Sequence, residues 1–448
     1  MLKRTFLKLL TAAAAGPVTE AVGAQPALGP LRNWAGNLTY GTNRLSEAGT
    51  VDELRSLLSS QEKWKVLGSR HCFNTIADSR HNFLTLKSSP DRVAVDERSR
   101  TVTVDAGLKY GQLSPLLHEK GFALHNLASL PHISVAGACS TATHGSGETI
   151  GNLATAVSAM ELVTAAGDVV KLSRQSDGDV FRGAVVGLGS LGVITRVTLA
   201  IEPTYTVRQY VYQNMPMTQL KQHFDAIQSS GYSVSLFTDW QKGMVSEVWI
   251  KTRVDAARPF AAPAEFFGAT LAKRDLHPIV ELSAENCTQQ MGVPGPWFDR
   301  LPHFRMGFTP SAGKELQAEY FVPRRNAMDA ILAVERLRDQ VGPHLFISEI
   351  RTVAADDLWM SPCYGQSGVA IHFTWKPDWP AVRRLLPVIE RELSPYQVRP
   401  HWGKLFTIAP RVLRSRYPKM QEFVQLASKF DPKGKFRNEF LQTNLFQD

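Results

Sequence analysis

The chain runs to 448 residues, 44% hydrophobic and 20% charged, which is too long for one ordinary domain and excludes collagen-like or disordered composition. Its formal charge is +9, but Lys and Arg are scattered without a long basic run, so the balance describes a soluble surface and gives no footprint for nucleic acid. No stretch reaches the roughly 18 uninterrupted apolar residues that a membrane span needs.

Residues 1–24 have signal-peptide anatomy. Lys3, Arg4 and Lys8 precede an apolar run from Leu9 to Ala15, and Val22-Gly23-Ala24 places small residues before a cleavage point at Gln25. The segment Lys3 to Lys8 is also similar to a twin-arginine signal with Lys at the first paired position. That route exports folded proteins, so a periplasmic or secreted product is expected, with the export machinery as a partner.

From 31 to 203 short strands mix with helices. Residues 64–67, 93–95 and 101–105 read as strands, and Leu113, Leu116 and Leu117 give residues 110–120 helical spacing that Gly121 would cap. Residues 160–172 read as strand, turn, strand, and 193–201 as a strand closed before Pro203. Beyond 204 the elements lengthen: 233–237, 247–251 and 369–375 are strand-like, while 327–341 and 380–393 are helix-like. The expected class is α+β, with units at 31–203 and 204–395 and a C-terminal segment at 396–448. Cys72, Cys139, Cys287 and Cys363 fit neither a disulfide framework nor a zinc site, so burial as small apolar residues is expected, and no metal.

Gly187-Leu188-Gly189-Ser190-Leu191-Gly192 is formally G-x-G-x-x-G, but a β-branched run follows it. A dinucleotide fingerprint needs a helix there, because the pyrophosphate sits on that helix's N-terminus. Two other stretches fit a cofactor better. Val66-Leu67-Gly68-Ser69-Arg70-His71-Cys72 runs a strand into a tight turn whose successive N–H groups suit a pyrophosphate. Residues 129–147 pack small and hydroxylated side chains, including Ser134, Gly137, Thr141, Ala142, Thr143 and His144, so that backbone can approach a flat ligand.

This pairing resembles the FAD-binding domain of the vanillyl-alcohol oxidase family, with a PCMH-type fold and a cap domain over the flavin. Within that family the chain is similar to the alditol oxidases. The likeness covers nearly everything after residue 31, through the strings Asn33 to Asn37, Ala128 to Gly137, Ser233 to Trp240, Asn286 to Thr288, Gly292 to Trp297, Glu349 to Asp356, His372 to Trp375 and Arg399 to Lys404.

The resemblance implies FAD, carried covalently on His71. It also implies FAD contacts from Val66, Leu67, Gly68, Ser69, Arg70, Cys72, Ser129, Ser134, Gly137, Thr141, Ala142, Thr143, His144, Ile194 and His401. Arg70 and Cys72 stand where relatives commonly carry Gly and Ser. Ser129, Glu349, Arg351, Thr374 and Lys404 match the polyol-binding positions. The implied reaction takes a hydride from a terminal carbinol to flavin N5, with O2 as acceptor and hydrogen peroxide as product. Arg351 is then the fixed charge near the flavin, Lys404 the candidate base and His372 a second candidate. Glu349 and Arg351, two apart on a strand, would share one face. A sugar-lactone oxidase or dehydrogenase of the same family is the alternative, and a flavin-free sugar-binding protein a different class.

Overall fold

The computed structural model describes residues 29–257, 260–306 and 315–447; the signal-like residues 1–24 lie outside them. The first unit begins with a three-stranded parallel sheet in which Phe83–Leu86 lies between Leu45–Ala48 and Lys65–Val66. Thr50 caps the helix Val51–Ser60 by accepting from the Glu53 N–H. A five-stranded antiparallel sheet follows, with Val193–Ala200 between Thr101–Asp105 and Val157–Val163. Its Val102, Val104, Leu162, Val197 and Leu199 are buried against Leu113 and Leu117 of the helix Tyr110–Glu119. Gly121, at φ +80, ends that helix in the left-handed region.

After Pro203 the chain enters a ten-stranded antiparallel sheet whose centre runs Met244–Arg253, Ser233–Thr238, Leu345–Val353, Gly368–Trp375, Leu316–Pro323. Alternation decides its two faces. Val234, Leu236, Ile350, Ile371, Phe373, Ala318 and Tyr320 point one way and are buried under the helices Met217–Gln228, Ala327–Glu335 and Trp379–Leu393. Each such Leu, Ile or Phe contributes on the order of 1.5–3 kcal/mol. The residues between them point the other way, where Ser235, Glu319, Glu349, Arg351 and His372 stand among apolar neighbours such as Phe237, Phe321 and Ala370. The expected helix at 327–341 is interrupted, with Arg338–Val341 beginning after Leu337 takes φ −90, ψ 5.

The C-terminal segment crosses back to the first unit. Trp64 N–H donates to the Lys435 carbonyl at 2.9 Å, and Asn438 Nδ2 donates to the Thr75, Ile76 and Asp78 carbonyls. Phe73 N–H donates to the Gly403 carbonyl at 2.7 Å, which seats residues 401–404 beside the 66–72 turn. The four cysteines are free thiols; Cys139, Cys287 and Cys363 are buried and Cys72 partly so. Among the described residues no helix is long and apolar enough to cross a membrane.

Candidate active site

A cavity of about 840 Å³ lies between the polar face of the large sheet and the loops of the first unit. The strand register aligns its wall. Phe237, Glu349, His372 and Glu319 form one row across four strands, with Ser235, Arg351, Ala370 and Phe321 as the row on one side. On the other side Gln317 pairs with Thr374. Polar side chains distant in sequence thus meet because they share a face and a row.

Arg351 is buried and its contacts fix its plane. Nη2 donates to Glu319 Oε1 at 2.6 Å, Nη1 to Ser129 Oγ at 3.4 Å, and Nε stands 3.5 Å from Glu349 Oε1. Glu349 Oε1 also pairs with His303 Nε2 at 2.8 Å. His372 places Nε2 at 3.3 Å from Thr374 Oγ1 and Nδ1 at 3.5 Å from Glu319 Oε1. Lys404 Nζ donates to Gln317 Oε1 and lies 4.7 Å from the centre of the Phe73 ring.

Burial alone would raise the Glu319 carboxyl, but His144, Arg351 and His372 more than offset it and hold that carboxyl well below the usual range. Glu349 behaves likewise: burial opposes ionisation, and Arg351 and His303 overcome it. Burial pulls Lys404 below the ordinary lysine range, against the pull of Glu319 and Glu315. His372 is lowered mainly by burial, with Glu319 opposing, and burial takes His401 down to about 3. The wall therefore holds anionic carboxylates, a fixed guanidinium, two imidazoles made less basic by burial and one lysine moved toward neutrality.

The opposite wall is built of backbone. Ser134 Oγ accepts from the Ser69 N–H at 3.4 Å and Ser69 Oγ from the Ser134 N–H at 3.3 Å, which stitches the two loops together. A Cβ on Gly68 would come within 2.4 Å of Ser134 Oγ, so only glycine permits this approach. Among the described residues the N–H groups of Gly68, Arg70 and His71 find no protein acceptor. The same holds for the buried His71 Nδ1. Free N–H groups on a tight turn suit a pyrophosphate, and a cavity this large suits a flat dinucleotide with room for a small substrate, so these residues fit FAD.

Of the residues singled out in the sequence, Val66 to Cys72, Ser129, Ser134, Gly137, Thr141, Thr143, His144, Ile194, Glu349, Arg351, His372, Thr374, His401 and Lys404 all line this cavity. Ala142 does not. It turns inward, fully buried, at φ +55, and serves the loop rather than the wall. Glu349 and Arg351 share a face as expected, and both sit inside a buried network. The glycine run at 187–192 is followed by a strand, not a helix, yet Leu188, Gly189 and Gly192 do line the cavity. Sequence reasoning missed Glu319, Gln317, His303 and Lys251, together with Trp34 and His132. Trp34 packs edge-on to His71 at 4.4 Å and stacks on His132 at 5.3 Å. The Asn33 to Asn37 string clamps this turn, for Trp34 N–H donates to the Arg70 carbonyl and Asn33 Nδ2 to the Cys72 carbonyl.

Residues 46–173 match the FAD binding domain family, and residues 310–444 match the D-arabinono-1,4-lactone oxidase family. Two solved structures share the fold at 14% identity: a solvent-stable cholesterol oxidase and a cholesterol oxidase from B. sterolicum. Their TM-scores are 0.74 and 0.73, each match covers 93% of this chain, and it covers 97% and 96% of those chains. Fold and site together define an FAD-binding oxidoreductase. Alditol oxidase from a Streptomyces species is 46% identical over 92% of this chain and 98% of its own length. L-gulono-1,4-lactone dehydrogenase of Mycobacterium tuberculosis is 26% identical over similar shares. The chain belongs to the alditol oxidase family of FAD-dependent oxidoreductases, and the lactone-named relatives are more distant.

Proposed function

We propose that this enzyme oxidises the terminal hydroxyl of alditols of the xylitol and sorbitol type to the aldose. FAD is tethered to His71, and O2 is the acceptor that yields hydrogen peroxide. The observation that carries the reading is the convergence of Ser129, Glu349, Arg351, Thr374 and Lys404 on one cavity. A polyol is a chain of hydroxyls, so its site needs alternating donors and acceptors, and these five supply both.

FAD, when bound, supplies the two-electron acceptor for the carbinol hydride. The chain's residues do the rest. Glu349 accepts hydroxyl protons in hydrogen bonds, while Ser129 and Thr374 both donate and accept. Arg351, locked by Glu319 and Glu349, presents a fixed positive charge where negative charge develops. Lys404 Nζ takes the proton of the reacting hydroxyl, a role that its burial-lowered basicity supports. His372 Nε2, beside Thr374, is the second candidate base.

Tethering at His71 suits a chain whose residues 1–24 read as an export signal, because it prevents cofactor loss after export through the twin-arginine route. A sugar-lactone oxidase or dehydrogenase is the competing reading, favoured by the match of residues 310–444. Turnover of the holoenzyme with xylitol, sorbitol and gulonolactone separates the two. Hydrogen peroxide quantified against dye reduction identifies the acceptor. Alditol turnover with stoichiometric peroxide is expected; lactone preference, or dye reduction without peroxide, overturns the corresponding part. Flavin fluorescence on a denaturing gel, absent in His71→Ala, checks the tether.

A further inference from the structure

Behind Glu349, away from the row that faces Arg351, stands a buried arm that the proposed chemistry does not use. His303, 5% exposed, is wedged between Trp249 and Phe237, with ring centres 5.1 and 5.4 Å away. Its Nε2 lies 2.8 Å from Glu349 Oε1 and its Nδ1 3.1 Å from Lys251 Nζ. Its backbone N–H donates to the Ser129 carbonyl at 3.1 Å. One residue therefore touches two of the positions assigned to the polyol.

Lys251 is 1% exposed, and its Nζ reaches the Leu301 carbonyl, the Pro302 carbonyl at 3.1 Å and His303 Nδ1. Burial pulls Lys251 down to about 7, with Glu349 opposing. Glu349 Oε1 belongs to an ionised carboxylate and can only accept, so the ring's proton sits on Nε2. Nζ of Lys251 then faces three acceptors that the three N–H groups of an ammonium satisfy. Burial, then the Lys251 charge, push His303 down to about 4, which keeps the ring neutral at working pH. With Oε1 held by His303 and Arg351, Oε2 of Glu349 accepts nothing among the described residues and is the oxygen left for a substrate hydroxyl.

We propose that His303 is a positioning residue for the polyol: in a tautomer fixed by Lys251 it orients the Glu349 carboxylate and holds Ser129 beside it. This rests on the alditol reading of the same cavity. His303→Leu loses the donor, His303→Gln restores an N–H near the Nε2 position, and Lys251→Met releases the tautomer.

Two measurements on the holoenzyme test it. In anaerobic stopped-flow reduction by xylitol, losing one hydrogen bond to a charged group predicts a roughly ten- to hundredfold rise in the apparent Kd for His303→Leu. The limiting rate should change far less, and His303→Gln should recover most of the affinity. Glu349→Gln is the control. If it weakens xylitol while His303→Leu leaves Kd unchanged, the relay falls and the alditol reading stands. In 15N NMR of histidine-labelled enzyme, the His303 signal, identified by its loss in His303→Gln, should be the Nε2–H tautomer and should change in Lys251→Met. An Nδ1–H or doubly protonated ring in the wild type overturns the relay whatever the substrate. If no polyol reduces the wild-type flavin, the alditol reading falls and the NMR result alone judges the relay.

Discussion

Glu319 Oε1 accepts from Arg351 Nη2 at 2.6 Å, with both side chains shut away from solvent. The same oxygen takes His144 Nε2 at 3.2 Å, so one carboxylate anchors a guanidinium and an imidazole that reach it from different parts of the chain. Removing its charge leaves Arg351 buried beside a weaker partner. Glu319→Gln should cost about 3–5 kcal/mol, the usual penalty for breaking a buried ion pair. The sign of the pH effect follows from the depressed carboxyl: its contribution is complete above the unfolded value of about 4.3 and is lost as pH falls. The stability gap between wild type and variant should therefore be full at neutral pH and narrow below about pH 4. A gap that persists unchanged at low pH would mean that Glu319 acts through packing and not charge.

Lys404→Met separates base from binder. The long apolar side chain keeps similar bulk beside Phe73 while removing the nitrogen that stands over its ring. If Lys404 takes the hydroxyl proton, the limiting rate of flavin reduction should fall by about a hundredfold or more, with polyol affinity within a few fold of wild type. A variant that reduces its flavin at the wild-type rate passes the role to His372.

Much of the site was legible in the sequence because the cofactor loops are local. A turn such as 66–72, or a run of small residues such as 129–147, carries its own signature. Glu319, His303 and Lys251 were not legible, because Glu319 and Lys251 act through pairings between strands far apart in the chain and His303 reaches the sheet from a distant loop. Glu319 meets His372 only through the register of two strands, and no spacing in the sequence encodes it. A weaker signal was there. Glu319 is a charged residue flanked by Ala318, Tyr320, Phe321 and Val322, and Lys251 follows Val248-Trp249-Ile250; a charged residue in such a strand is either on a wet face or buried with a partner. The glycine run at 187–192 shows the opposite limit. Excluding a dinucleotide fingerprint there was right about the following strand, yet its backbone still reached the cavity.

Glu247 offers a pH test away from the chemistry. It is 1% exposed, Oε2 accepts from Trp249 Nε1 at 2.7 Å, and Oε1 has no partner. Burial raises the carboxyl to about 7, partly opposed by the Trp249 bond. A raised folded value means that the unfolded chain ionises first, so stability is lost as pH rises from about 4.5 to about 7 and stays lost above that. Glu247→Gln keeps an acceptor for Trp249 and removes the titration. It should match wild type near pH 4 and exceed it by about 1–3 kcal/mol at pH 8. Parallel curves of Tm against pH for the two proteins would show that Glu247 is not the titrating group.

Arg70 occupies the tight turn beside His71, and its backbone shows the cost of a side chain there. It sits at φ +58, in the left-handed region, where a side chain costs about 1–2 kcal/mol relative to glycine. Its exposed Nη1 recovers part of that by donating to the Arg32 carbonyl at 3.2 Å. The essential contact is the backbone one, Trp34 N–H to the Arg70 carbonyl, and any residue provides it. Arg70→Gly should therefore raise stability by about 0.5–1 kcal/mol, after allowing for glycine's greater entropy in the unfolded chain. Arg70→Ala keeps the strain, loses the Arg32 contact and should be the less stable of the two. Flavin fluorescence on a denaturing gel should be equal in both variants and wild type, because neither change touches His71 or the Trp34 packing. If Arg70→Gly melts below Arg70→Ala, the strain assignment is wrong. If either variant loses its gel fluorescence, the guanidinium acts on the tether itself.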